Sequence, residues 1–248
     1  MSTIYCQDVV DQALEISELV NDYSTTGFAN RNQVQRWFNQ AASRLHYDIA
    51  NSDATWWNEE ATVPVVAGTA RYGLPNGTLY SSAKPFYKMN HLLIVDSQRV
   101  YSVPKFQRHE INGWSSTGPT TAQTLRMQYV PAYEPVALGD WTSTTPTLSS
   151  QYPPGFEDYI AMFIARRLSI KDEKYERAQA LLAELAEAKL RTLDNAGSRD
   201  LAHPETIQDT SGRWDTKVWD LNTLEIVKCG FAYRLFGDYL EIGQVQVY

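Results

Sequence analysis

Residues 152–197, YPPGFEDYIAMFIARRLSIKDEKYERAQALLAELAEAKLRTLDNAG, limit the possible folds of this chain more than any other stretch. Tyr152-Pro153-Pro154-Gly155 cannot continue a helix or a central strand, because proline lacks an N–H and restricts the residue before it. Phe156, Tyr159, Ile160, Phe163 and Leu168 then recur at helical spacing. Glu157 and Asp158 lie at the positive start of that helix, and Arg166 and Arg167 near its negative end. Ala161, Met162, Ile164 and Ala165 make the remaining surface apolar as well, which predicts a helix enclosed by neighbours. Asp172 is placed to cap a second helix. In it Ala178, Leu181, Leu182, Leu185 and Ala188 are expected to form one buried stripe, with Glu173–Arg177 and Glu187–Arg191 as i,i+4 pairs on the wet side. Gly197 is a fit C′ residue.

Enclosing helices are available at the start of the chain. Residues 4–23 carry Val9, Ala13, Ile16, Val20 and Tyr23 on one face. Asn30, with Gln33 three residues on, has the form of a capping box. It opens a helix whose stripe is Val34, Trp37, Phe38, Ala41, Leu45 and Ile49.

Between the helical pairs the texture is that of strands. Thr62–Val66 and Thr69–Leu74 flank a turn at Gly68 and read as a hairpin. His91–Val95 and Arg99–Val103 flank Asp96-Ser97-Gln98 and read as a second one. Leu125, Met127 and Tyr129 alternate through Thr124–Val130, while 113–121 and 142–150 are Ser/Thr-rich loops. After the connector 198–212, residues 213–248 suggest successive short strands, with a register slip, and so a bulge, at Gly243. So few residues scarcely hold a core unaided, and the segment must lean on the body or on another chain. The expected fold is α+β: residues 1–197 as a four-helix body with a small antiparallel β-region inserted at about 58–150, then 198–212 as connector, then 213–248 as a C-terminal β-rich extension.

Composition narrows function. The net charge of −7 argues against a dedicated nucleic-acid binder, since phosphate affinity rests on clustered Lys and Arg. Two cysteines, Cys6 and Cys229, form neither a disulfide framework nor a zinc spacing; both are expected as thiols in a reducing cytoplasm. No apolar run long enough to span a membrane occurs, and residues 1–15 lack the pattern of a signal peptide. His46, His91, His109 and His203 are scattered. His109-Glu110 begins like a zinc-protease motif, but Gly113 stands where the second histidine belongs. Glu59 and Glu60 are adjacent, so on a strand or a helix they diverge and cannot flank one bond as paired catalytic carboxylates do. No Walker loop, nucleophile elbow or glycine-rich phosphate cradle is present. The sequence therefore yields no catalytic, cofactor-binding or metal-ligating residues, and an enzyme is not expected.

The order of the parts resembles that of the head-to-tail adaptor proteins of tailed bacteriophages, also called head-completion or connector proteins. The resemblance rests on DVVDQALEISELVND and on NQVQRWFNQAASRLHYDIA, in which Trp37, Asn39 and Ala41 match an aromatic followed by Asn-x-Ala. It rests also on TARYGLP (Thr69–Pro75), matching a Tyr-x-Leu-Pro element, and on the Tyr-Pro-led helix pair from Tyr152. It covers about residues 4–197.

That resemblance implies a structural virion protein at the neck, assembled in the host cytoplasm, with no cofactor. It implies a dodecameric ring between portal and tail, through which genomic DNA passes without specific binding. The partners it implies are the portal protein, further copies of itself, and tail, nozzle or tail-fibre proteins, with no membrane. Seven Trp and fifteen Tyr suit interfaces. Trp214, Trp219, Phe231, Tyr233, Tyr239 and Tyr248 are accordingly the candidate contacts to portal or neighbour, and Asp8, Asp11, Glu15, Glu18 and Asp22 the candidate lumen-facing acids. The alternative reading is a carbohydrate-binding or hydrolytic virion or tail component, since the same rings stack on sugars.

Overall fold

The structure is a computed structural model. It describes residues 5–19, 23–24, 29–52, 56–76, 84–95, 99–103, 105, 112–115, 123–136, 152–198, 217–220, 226–228 and 231–246. The chain divides into two compact units: unit 1 is Met1–Trp56 with Tyr133–Thr206, and unit 2 is Trp57–Ala132 with Ile207–Tyr248.

Unit 1 holds the helices α1 (Cys6–Ile16), α2 (Arg31–Asn51), α3 (Phe156–Lys171) and α4 (Tyr175–Ser198). Two two-residue strands, β1 (Tyr23–Ser24) and β2 (Ala29–Asn30), pair in parallel before α2. α3 packs on each of the other three helices, which is why Ile160, Ala161, Ile164, Ala165 and Leu168 are all buried. The broad apolar surface of this helix thus meets a neighbour on three sides, and its charged side, with Arg167 and Lys171, stays toward solvent. Asn30 caps α2 by accepting from Asn32 N at 2.9 Å, while Gln33 Oε1 accepts from Lys171 Nζ at 3.0 Å.

Gly155 opens α3 at φ +90°, a conformation open to glycine at little cost, and a Cβ there would lie 3.2 Å from Thr192 Oγ1. Asn195 Nδ2 donates to Pro154 O at 2.8 Å, tying the Pro-Pro turn to the end of α4. Buried hydroxyls are satisfied within their helices: Ser169 donates to Ala165 O and Thr192 to Ala188 O.

Unit 1 departs from the sequence reading at four places. α1 ends at Ile16, short of residue 23. Asp172 is the C-cap of α3 rather than the N-cap of α4, with Glu173 left-handed at φ +60° in the turn between them. Gly197 lies inside α4, which runs to Ser198. Leu182, expected in the core, is 41% exposed; Ala178, Leu181, Ala188, Thr192 and Ala196 form the buried stripe. The charged pairs also reach further than one helix: Arg177 Nη2 donates to Ile16 O at 3.2 Å, a cation at the negative end of α1. Arg191 lies 3.8 Å from Asp158.

Unit 2 holds ten strands among the described residues. Six form one antiparallel sheet: β3 (Glu59–Pro64), β5 (Phe86–Val95), β6 (Arg99–Ser102), β8 (Thr124–Pro131), β9 (Lys217–Asp220) and β10 (Ile226–Lys228), in the order β10-β9-β6-β5-β8-β3. The second sheet runs β11 (Phe231–Phe236), β12 (Tyr239–Gln246), β4 (Arg71–Gly73), and β7 (Asn112–Ser115) also pairs with β12. Both sheets give side chains to one core: Met89, Leu92, Ile94, Leu125, Met127 and Tyr129 from the first, Tyr72, Tyr233, Leu240 and Ile242 from the second. Strict alternation in β8 buries Leu125, Met127 and Tyr129 on one face.

Here the sequence expectation changes more. The β5–β6 hairpin forms as expected. β3 and β4 do not pair with each other; β3 lies against β8, and β4 against β12. The C-terminal strands lean on the inserted β-region, as so short a segment was expected to lean on the body or on another chain. β9 pairs with β6, matching Val100 with Trp219, and β12 pairs with β4, matching Leu240 with Tyr72. Residues 113–115, read as the start of a loop, belong to β7. Gly243 sits in regular register with Ala232, and the irregularity falls between Val245 and Gln246 on the β7 side.

Candidate functional site

The described residues present surfaces rather than a catalytic cleft. The first is the outer face of α1. Cys6, Val9, Val10, Ala13 and Leu14 face inward, which leaves Asp8, Asp11 and Glu15 in one exposed stripe; exposed Glu18 follows the helix end at φ +62°. Part of this charge is locally engaged. Asp8 Oδ2 accepts from Tyr5 N at 3.1 Å, Asp11 Oδ1 accepts from Gln7 Nε2 at 2.7 Å, and Glu18 lies 3.9 Å from Lys174. Asp22 lies outside the described residues.

The second surface is the β11–β12 turn. Gly237 at φ +54° lets the chain reverse in two residues. Phe236 and Tyr239 stack across it, ring centroids 5.3 Å apart, and the Arg71 guanidinium lies 5.4 Å from the Tyr239 ring. Arg71 also reaches Glu241 at 3.7 Å, its partner in register on β12. Tyr239 was legible as a candidate; Phe236 and Arg71 were not, although Phe-Gly-Asp-Tyr is a turn signal between apolar runs. Of the other aromatic candidates, Tyr233 is buried in unit 2's own core, and desolvation pushes its hydroxyl up to about 12. Its ring is therefore a core residue and not an exposed contact. Trp219 and Phe231 lie in β9 and β11, and Trp214 and Tyr248 lie outside the described residues.

The third surface is the outer side of α4, where Tyr175 is 65% and Leu190 62% exposed, with Leu182 between them. Sequence reading missed it by assigning Leu182 to the core. The available signal was the Leu181-Leu182 pair, since neighbours on a helix diverge by about 100° and cannot share the centre of one stripe.

Asn39 is the residue through which the Trp37/Asn39/Ala41 motif acts. Its Nδ2 donates to Val136 O at 3.0 Å, and its Oδ1 accepts from Val136 N at 2.9 Å and from the Tyr133 hydroxyl at 2.7 Å. Gln35 Nε2 adds a bond to Val136 O at 2.9 Å. The segment that leaves β8 is thereby fastened to α2. Burial, reinforced by Tyr152 and Cys6 nearby, raises the Tyr133 hydroxyl far above its ordinary range, so it stays a donor. The rings of His46 and Tyr133 meet edge-on at 5.8 Å, and Ala41 lies buried one turn along.

The acids that invite a catalytic reading are each matched by a cation. Glu59 pairs with Lys84 at 2.7 Å and Glu60 with Arg126 at 3.2 Å. Among the described residues no group of three or more His, Cys, Asp or Glu is placed to hold a metal ion. None of the helices described is long and apolar enough to cross a membrane. Burial lowers the His91 imidazole, which favours its neutral form.

The sequence profile of the family described as SU10 adaptor protein matches residues 8–208. The chain belongs to the SU10 adaptor protein family. It is thus a structural bacteriophage protein of the virion, from a non-enzymatic family that works with phage head and tail components. The match takes in α1 from Asp8 onward, the other three helices and β1–β8, and it ends before β9. No curated protein matches the chain.

Proposed function

We propose that this adaptor assembles as a closed, dodecameric ring between portal and tail. The ring extends the DNA channel, and its outer edge docks tail, nozzle or tail-fibre proteins. Family membership across 8–208 carries this reading. The surfaces suit it. A ring subunit needs two different lateral faces, so that each copy binds the next and none remains unmatched. The acid stripe of α1 suits a channel wall, because like charge lets DNA pass where a basic wall would hold its phosphates. The stacked Phe236–Tyr239 pair, with Phe236 exposed, suits docking to portal or tail.

The test is electron microscopy of portal particles mixed with the protein. The expected result is a twelve-fold layer of added density on the portal. A portal that gains no density would defeat the proposal. The same stacked pair would also serve sugar binding; glycan binding that disappears in Tyr239→Ala would favour that rival.

A further inference from the structure

The exposed side of α4 carries large apolar side chains, interrupted by Gln179, over a length that a solvated helix does not require. Tyr175, Leu182 and Leu190 are spaced seven and eight residues apart, so they fall within about 80° on the helix. Ala183 and Ala186 are exposed on the same side. The stripe runs roughly 22 Å at 1.5 Å per residue. One rim is acidic, with Glu176, Glu187 and Asp194 all exposed. The opposite charge stands on the neighbouring helices of unit 1, past the Lys189–Asp48 bridge of 2.8 Å that joins α4 to α2. Arg36 and Arg44 are exposed on the outer side of α2. Arg44 and Arg167 both lie over the Phe163 ring, at 5.7 and 5.3 Å, and Lys171 is exposed further along α3. Among the described residues neither Arg36 nor Arg44 has a carboxylate within ion-pairing distance.

We propose that the α4 stripe of one copy seats on the α2–α3 basic ridge of a second copy of this chain. Three observations select that occupant. The stripe is apolar with an acidic rim, and the ridge is basic with exposed cations, so the two surfaces are complementary. Their charge spacings agree: Arg36 and Arg44 are about 12 Å apart along α2, and Glu187 and Asp194 about 10.5 Å along α4, at 1.5 Å per residue. They are also different faces of one unit, so each contact leaves one of each free and the association continues head to tail until it closes. The acidic rim would repel a second α4, which disfavours a two-fold pairing of the stripe with itself.

This inference rests on the ring reading above, and the experiment separates the two. Ring formation on portal particles is measured for the wild type and four variants. Arg36→Glu with Arg44→Glu, and Glu187→Lys with Asp194→Lys, are each expected to lower assembly at least about tenfold, as loss of paired charges does at interfaces. The four substitutions together are expected to restore it, because every contact again joins opposite charges. If the wild type forms rings and the fourfold variant is no better than either double variant, this contact is wrong and the ring stands. If the wild type forms no rings, the ring reading itself fails. Leu182→Asp with Leu190→Asp is expected to stay folded, with unchanged helical circular dichroism, and to lose assembly. A fall in its helicity would mean that the stripe is covered by the subunit's own chain, and would overturn the proposal.

Discussion

Unit 1 and unit 2 satisfy the same physical demands by opposite means. In unit 1 each helix closes its own backbone hydrogen bonds, and tertiary structure has only to bring apolar faces together around α3. In unit 2 the β5–β6 and β11–β12 hairpins pair locally, but several strands have no partner until a distant one arrives. Tyr101 waits for Val218, and Arg71 for Glu241. Damage should therefore stay local in unit 1 and spread in unit 2. Both units join two stretches of the chain that are far apart in sequence, but unit 1 does so by packing whole helices together and unit 2 by pairing strands.

The strongest way to break this contrast is truncation. Removing residues 207–248 deletes β9–β12 and takes Tyr233, Leu240 and Ile242 out of the unit 2 core. The expected outcome is loss of hydrogen-exchange protection throughout β3–β8, while the α3 and α4 amides stay protected. Protected β5 and β8 in the truncated chain would show that the first sheet stands without its C-terminal strands.

Next in size is a pair of neighbouring substitutions in α4. Leu181 is fully buried and Leu182 is not. Leu181→Asp should cost about 3–5 kcal/mol, the penalty of an uncompensated buried charge. Leu182→Asp should change stability by only about 0.5 kcal/mol, as surface substitutions do. Urea midpoints of the two variants measure the difference, and equal midpoints would place both leucines in one environment.

A smaller effect is expected at Asn39. Asn39→Ala strands the Val136 amide and the Tyr133 hydroxyl, at a cost of about 1–3 kcal/mol. Asn39→Asp keeps the acceptor and loses the donor to Val136 O, so its cost should be intermediate. Exchange at the Val136 amide reads the effect directly, and unchanged exchange in Asn39→Ala would mean that other contacts hold this segment.

The mildest perturbation is alkaline pH, which acts on both units. Burial raises Tyr152 in unit 1, and Tyr129 and Tyr233 in unit 2, from 10.0 to about 12. Their folded pKa exceeds the unfolded one, so the stabilisation is complete below pH 10 and is lost as pH rises from about 10 to 12. Thermal unfolding followed across that window should show falling stability, and Tyr233→Phe should flatten the decline in unit 2. A decline already complete by pH 9 would implicate other groups.

What could be read from the sequence follows the same division. The four helices, the Asn30 cap, the β5–β6 hairpin and the alternation of β8 all depend on residues close together in the chain. Periodicity and capping express such local relations directly. Leu182 was misread for a physical reason: α4 is apolar on two adjacent faces, and periodicity cannot say which one meets α3. β3 and β4 look like a hairpin because Gly68 offers a turn, yet their partners are β8 and β12. The chemistry that joins β12 to β4 is alternation on two separate strands, and nothing local in either names the other. Among the candidate interface rings, Tyr233 and Tyr239 looked alike in sequence. Only the register of β11 and β12 sends one into the core and leaves the other stacked beside Phe236.

The pairing of β12 with β4 also sets a schedule. A ribosome making this chain releases the whole of unit 1, up to the end of α4, before it begins β9. At about 5–20 residues per second, the span from β8 to β12 takes on the order of ten seconds. During that time the helical unit can fold, while β3–β8 wait with unpaired edges and an open core. The arrival of β12 then completes the second sheet. A newly made subunit thus acquires its Phe236–Tyr239 tip late, after its helices have been made.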